Sequence, residues 1–155
     1  MTDAGPDVRL VALGVPWREG SDGRELLVEG YDSEGGFYRP LGGGVRFGEA
    51  SDSAVVREFR EETGRAVRTT DRLGAVENVF RFGGERHHEI GVVYEVAFES
   101  DAPYESERIE VTESDGSTRT AAWHRPVDLR ERPEPVYPSG VWALLEGETD
   151  HVLPE

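Results

Sequence analysis

A chain of 155 residues is long enough for one domain with a real core and too short for two of ordinary size, so a single domain over 1–155 is expected. Hydrophobic residues make up 36% and aromatic residues 9%, spread along the whole length, which separates it from a disordered chain. Its 32 acidic residues outnumber 17 basic ones for a formal net charge of −15, which argues against gripping a nucleic-acid backbone with clustered cations.

All the basic residues are arginine. An acidic surface without lysine fits a halophilic cytoplasm, where salt screens self-repulsion; a GC-rich soil bacterium is the plainer source. The absence of cysteine removes disulfides, thiolate nucleophiles and Cys-ligated zinc. The opening MTDAGPDVRL lacks a basic start, and no segment approaches the roughly 20 apolar residues of a membrane span. A cytoplasmic protein without a membrane partner is expected.

In chain order, VRLVALGVPW (8–17) and ELLVEGY (25–31) are apolar, branched runs separated by the turn formers REGSDG, a hairpin. DSEGG (32–36) is a second turn leading through FYRPL into three glycines. One strong helix follows, starting near Ser51 or Asp52 as its cap and stopped by Gly64. RLGAVENVFRF (72–82) and HHEIGVVYEVAF (87–98) flank GGER as a longer hairpin. The acidic SDAPYESERIEVTESDG (100–116) fits no element and is expected to be a long functional or mobile loop. TRTAAWHRPV (118–127) reads as a strand. PSGVWALLEG (138–147) reads as a short helix, with Val141, Leu144 and Leu145 at helical spacing. Trp123 and Trp142 are expected in the core. The fold class is mixed α/β, without repeats.

The central helix poses the chemical question. Glu58, Glu61 and Glu62, spaced i, i+3 and i+4, fall within an arc of about 100°, while Val55, Val56, Phe59 and Thr63 take another sector. Like charges so placed repel and raise one another's pKa, so a positive partner is expected. Arg57 is one candidate, four residues before Glu61, and a divalent cation is the other. Oxygen ligands select Mg²⁺, Mn²⁺ or Ca²⁺ rather than zinc. The plainer reading of these three acids alone is a solvated helix face. The glycines before the helix, Gly43 and Gly44 among them, let backbone amides or a carbonyl approach a phosphate or metal.

Together these residues form one spacing pattern. Five residues separate Gly43 from Glu49 and seven separate Glu49 from Arg57, which begins REFREETG. This resembles the box of the Nudix hydrolase (MutT-like) family, G-x5-E-x7-R-E-U-x-E-E-x-G-U, with U a bulky apolar residue. Gly43, Glu49, Arg57, Glu58, Phe59, Glu61, Glu62 and Gly64 match; Arg65 departs at the last position, and Leu41 stands where many members carry proline.

The resemblance implies a Nudix-type α/β/α sandwich with a mixed β-sheet, holding Mg²⁺ (or Mn²⁺) at the loop–helix–loop. The implied activity is hydrolysis of a pyrophosphate bond in a nucleoside diphosphate linked to another moiety. Nucleoside triphosphates, ADP-ribose or nucleotide sugars, and dinucleoside polyphosphates all qualify. By resemblance Glu58 and Glu62 are the principal ligands, and Glu61 shares a metal or orients water. Arg57 holds the glutamates, Glu49 braces the loop, and Gly64 ends the helix. Arg39, Gly43, Gly44 and Glu89 are candidate substrate contacts. A further acid outside the box is common in the family, and Glu89, Glu105, Glu107, Glu110 and Glu113 qualify by type. His87 and His88 suit either a substrate contact or polar surface. The implied partner is a small nucleotide, with room for a homodimer. The alternative is a non-catalytic Nudix-like nucleotide sensor; a Ca²⁺-binding EF-hand is excluded by the lack of its loop.

If the acidity records a halophilic origin, the melting temperature rises as KCl approaches molar concentration. Thermal denaturation in a KCl series checks this, and a flat or falling trend removes the inference.

Overall fold

A computed structural model describes residues 6–155, and residues 1–5 of the MTDAGPDVRL segment lie outside that description. The described strands join one mixed sheet: β1 (Val8–Gly20), β2 (Gly23–Tyr31), β3 (Phe37–Arg39), β4 (Leu41–Gly44), β5 (Val67–Phe82), β6 (Glu85–Phe98), β7 (Arg108–Thr112), β8 (Thr118–His124) and β9 (His151–Val152). Their order is β7-β8-β2-β1-β6-β5-β9, with β3 against β2 and β4 against β1. The β1–β6 and β5–β9 pairs are parallel and the rest antiparallel.

Alternation along the central strands explains the layers. Ala12 and Leu27 face helix α1 (Ser51–Thr63) with Val55, Phe59, Tyr94 and Trp123. Their neighbours Val11, Leu13, Leu26 and Val28 face the opposite side, where Leu129 of α3 (Pro126–Glu131) and Val141 and Leu144 of α4 (Val141–Leu145) close a second core. The result is an α/β/α sandwich. Among the described residues, no helix is long and apolar enough to cross a membrane.

The acidic stretch differs from the expected loop. It forms a helical turn, α2 (Ala102–Glu105), and then β7, which pairs with β8 from Arg108–Ala122 to Thr112–Thr118. Tyr104 anchors it: its ring lies 5.7 Å from that of Trp123 and 5.6 Å from that of Phe98, and its hydroxyl accepts the Phe98 N–H at 2.8 Å. Arg18 donates to the carbonyls of Tyr104 and Ser106, both at 3.0 Å. Arg108, Glu110 and Thr112 on the outer face of β7 conceal an alternation in which Val111 is buried and Ile109 half-buried. Elsewhere the strands outgrow their apolar runs, so that residues 21–22 and 83–84 alone turn the two hairpins. β8 stops at His124, because Pro126 starts α3. Trp123 is in the core, whereas Trp142 is only partly buried under the Arg130 guanidinium.

One irregularity positions the site. β1 and β2 pair only from Trp17–Leu26 to Gly20–Gly23 and then part. Into the split runs the segment β3–Pro40–β4: β3 takes the freed edge of β2 and β4 that of β1. This wedge brings Arg39 and the glycines up to α1.

Candidate active site

Ala50, with extended dihedrals, occupies the cap position of α1, and no side chain caps the helix; Ser51 and Asp52 are already inside it. Gly64 ends it in a left-handed conformation, φ 71°, with its N–H on the Arg60 carbonyl at 3.0 Å. The buried face is Ala54, Val55, Phe59 and, unexpectedly, Glu62. Val56 and Thr63 are only partly covered.

Arg57 ties the loop to the helix. Its Nε and Nη2 donate to the two Glu49 carboxylate oxygens at 2.7 and 2.9 Å, a bidentate fork. Nη2 also donates to the Gly44 carbonyl at 2.9 Å, and Nη1 reaches Glu58 at 3.0 Å and Glu61 at 3.2 Å. Glu49 additionally accepts the Arg46 backbone N–H at 3.0 Å. The Arg57 hydrogen bonds, with that amide, hold the Glu49 carboxyl at about 2, below the usual carboxylate range. Gly43 has a steric role: a Cβ there would lie 2.6–2.7 Å from the Glu58 carboxylate, which rests against the bare backbone. Glu61 is the exposed member of the trio, with Arg46 donating to its other oxygen at 3.3 Å.

Behind these groups lie three carboxylates that each keep one buried oxygen without a hydrogen bond. Glu62 is 7% exposed and Glu29, on β2, 2% exposed. Glu62 Oε1 and Glu29 Oε2 accept no hydrogen bond. Glu113, after β7, lies with Oε1 2.7 Å from Arg119 Nη1, an ionic contact outside hydrogen-bonding alignment. Burial pushes the Glu62 carboxyl strongly upward, followed by its contact with Glu58 and the charges of Glu29 and Glu113. Burial likewise raises Glu29 to about 7, against the opposing hydrogen bond from the Tyr31 hydroxyl.

Among the described residues, no three acidic or histidine side chains converge closely enough to hold an ion as they stand. The donor set nonetheless fits a hard divalent cation. It consists of carboxylate oxygens, and Glu62 Oε1 is buried without a partner. A cavity of about 430 Å³ contains Glu58, Glu61, Glu62 and Glu113 together with Arg9, Arg39, Arg46 and Arg57.

Other expected residues fall as follows. Arg39 is directly across from Glu29 in the β2–β3 pair, with Nη2 3.8 Å from Glu89. Glu89 also meets Arg9 at 3.4 Å, so it is a counter-ion between two arginines. Gly44 contributes its carbonyl to Arg57. His87 stacks on Phe80 at 5.3 Å and contacts the Phe82 carbonyl; neither it nor His88 lines the glutamate cavity. Glu110 lines a further cavity whose wall also includes Glu61 and Glu62, while Glu105 and Glu107 are exposed.

Arg9, Arg46, Arg119, Tyr31 and Glu29 also line or flank the site, beyond the residues expected from the sequence. Glu29 carried a signal: in ELLVEGY it alternates with Leu27 and Tyr31 in a strand covered on both faces.

A family model of the NUDIX domain matches residues 8–142. A MutT NUDIX hydrolase from Burkholderia pseudomallei superposes with a TM-score of 0.63 at 25% identity, over 92% of this chain and 99% of that one. An ADP-ribose pyrophosphatase from Streptococcus suis (TM-score 0.55, 14% identity, 95% and 98% covered) shares the fold. So does the C. elegans Ap4A hydrolase (TM-score 0.56, 16% identity, 92% and 96% covered). Comparison with curated proteins gave no match. The chain belongs to the NUDIX family, and its class is that of the Nudix-type pyrophosphohydrolases.

Glu29 generates a pH prediction. Its folded pKa of about 7 exceeds the ordinary 4.5, so its contribution to stability is fully present below 4.5 and lost as pH rises through 7. The groups that set it are Tyr31 on its own strand, Arg39 on β3, Glu113 and Arg119 around the β7–β8 turn, and Glu62 on α1. Glu29→Gln, which does not titrate, therefore gains on wild type between pH 5 and 8 by about 2.5 kcal/mol in metal-free buffer. Urea unfolding at both pH values measures the difference.

Proposed function

We propose that this protein hydrolyses, with a divalent cation, a pyrophosphate bond in a nucleoside diphosphate linked to a second moiety. The observation that carries this reading is the arrangement around Arg57. One guanidinium fixes Glu58 and Glu61 beside the buried Glu62, whose Oε1 has no partner, with Glu58 laid against the bare backbone of Gly43.

Glu58, Glu61 and Glu62 would hold Mg²⁺ or Mn²⁺, with Glu113 as the acid from outside the box. The bound cation supplies charge neutralisation at phosphate oxygens and acidifies water. The chain's own residues do the rest. Arg57 keeps Glu58 and Glu61 at fixed positions, a preorganisation that removes reorientation from the barrier. Arg9 and Arg46, both exposed beside Gly44 and Glu61, offer positive charge to a polyphosphate that the acidic surface otherwise repels. Arg39 stays with Glu29 and Glu89 and steadies that wall. Glu61, tethered by two arginines yet open to solvent, would orient the attacking water and receive its proton. Among related folds, an ADP-ribose pyrophosphatase and an Ap4A hydrolase support this substrate range.

Purified protein with Mg²⁺ is expected to turn over at least one member of a nucleotide panel and to stop with EDTA. Glu58→Gln and Glu62→Gln each lower turnover by at least about a hundredfold. In EDTA both variants remain folded by their melting curves, while Mg²⁺ raises the melting temperature of wild type alone. Wild-type turnover by both variants would refute the assignment.

A further inference from the structure

One ion pair stands between two cavities. Glu113 is in the wall of the glutamate cavity, whereas Arg119 is in the wall of a larger one, of about 760 Å³, bounded by the β2–β3 turn, the start of β8 and Glu134. Tyr31 lines both. The backbones of the pair are fixed. Arg119 is directly across from Val111 in the β7–β8 ladder. Glu113 closes the turn, its N–H donating to the Ser117 carbonyl at 2.8 Å and its carbonyl accepting the Gly116 N–H at 2.9 Å. Any rearrangement is therefore left to the two side chains.

The pair itself is incompletely made. Nη1 of Arg119 lies 2.7 Å from Glu113 Oε1, yet that oxygen is buried and accepts no aligned hydrogen bond. The Glu113 side chain is 24% exposed and that of Arg119 32%, and ion pairs this open are weak. Glu113 also acts on Glu62, since its charge is among those that push the Glu62 carboxyl upward. A divalent cation beside Glu62 offers Glu113 twice the charge of a guanidinium.

Arg119 has a second partner that does not depend on the first. Its guanidinium carbon lies 4.1 Å over the Tyr31 ring, which is also stacked on Phe37 with centroids 4.5 Å apart and planes 6° from parallel. The Tyr31 hydroxyl in turn donates to Glu29. This platform keeps the guanidinium in place when the carboxylate leaves it. Among the described residues lining the larger cavity, Arg119 is the one cation, alongside the acids Asp32 and Glu134. While Glu113 neutralises it, the cavity repels an anion; once released, its donors are open to one.

We propose that Arg119 is a counter-ion displaced on cation binding: Glu113 exchanges Arg119 for the cation, and the freed guanidinium takes a phosphate oxygen of the nucleotide. Cation and nucleotide then bind cooperatively, because each favours the arrangement the other needs. The inference rests on the pyrophosphohydrolase reading above, with Glu113 as the acid from outside the box.

Mn²⁺ affinity of the protein alone, read by electron paramagnetic resonance, tests the exchange in wild type, Arg119→Gln, Glu113→Gln and the double variant. Arg119→Gln is expected to bind Mn²⁺ about fivefold more tightly, since Glu113 no longer has a partner to leave. Glu113→Gln should bind about tenfold more weakly, and the double variant should match it within about twofold. Tightening that persists in the double variant marks a general effect of charge and overturns the proposal, as does no tightening in Arg119→Gln. Arg119→Met stands in should Arg119→Gln fail to fold by its melting curve. Calorimetry with the α,β-methylene analogue of ADP tests the second half. Arg119→Gln should weaken its binding about tenfold with Mn²⁺ and less than about twofold in EDTA. Equal loss in both conditions, or none with Mn²⁺, overturns the phosphate contact. Glu113→Gln that binds Mn²⁺ as wild type does overturns the exchange and leaves the pyrophosphohydrolase reading standing, whereas wild type that binds no Mn²⁺ overturns both.

Discussion

A single guanidinium carries the organisation of this site. In a chain of net charge −15, three glutamates at helical spacing would repel one another and loosen the helix that presents them. Arg57 is where that repulsion is answered: it grips Glu49 with a fork, caps the Gly44 carbonyl, and reaches both Glu58 and Glu61. Lysine, a point charge, could not make these contacts at once, since the planar fork supplies five donors in fixed directions. The loop before α1 and the helix itself thus become one rigid piece.

That piece works because of how the sheet is built beneath it. β1 and β2 separate after a few pairs, and the β3–β4 wedge fills the gap with a run of glycines facing α1. Glu58 lies against Gly43, where any side chain would collide with it. Phe59 and Val55 bury the neighbouring stripe in the core, which fixes the rotation of the helix and drives Glu62 inward. Burying apolar stripe and carboxylate on one face leaves Glu62 Oε1 without a hydrogen-bond partner, a cost of a few kcal/mol that a cation would offset under the proposed function.

Much of this was legible in the residues. The separation of Glu49 from Arg57 and the i, i+3, i+4 acids identified the helix, its glycine stop and the family before any fold was known. What stayed hidden depends on contacts between residues distant in the chain. Glu29 reads as an ordinary polar position in a strand until β3, β8 and α1 are packed around it. The 100–116 stretch reads as loop because its acids are local, whereas its strand is defined by β8 and its anchor by Trp123. Arg9 and Arg119 look like any surface arginine, and only the parallel β1–β6 pair and the β7–β8 turn bring them to the glutamates.

The proposed cation site depends on Arg57 and Glu49 acting as one unit in arranging the acids. It is tested most directly by Mn²⁺ affinity, read by calorimetry or electron paramagnetic resonance, in Arg57→Gln, Glu49→Gln and the double variant. The expected result is that each single variant weakens Mn²⁺ binding and the double variant is no weaker than the worse single one, since breaking the fork once already frees the acids. Losses that multiply in the double variant, or single variants that bind as wild type does, would contradict it.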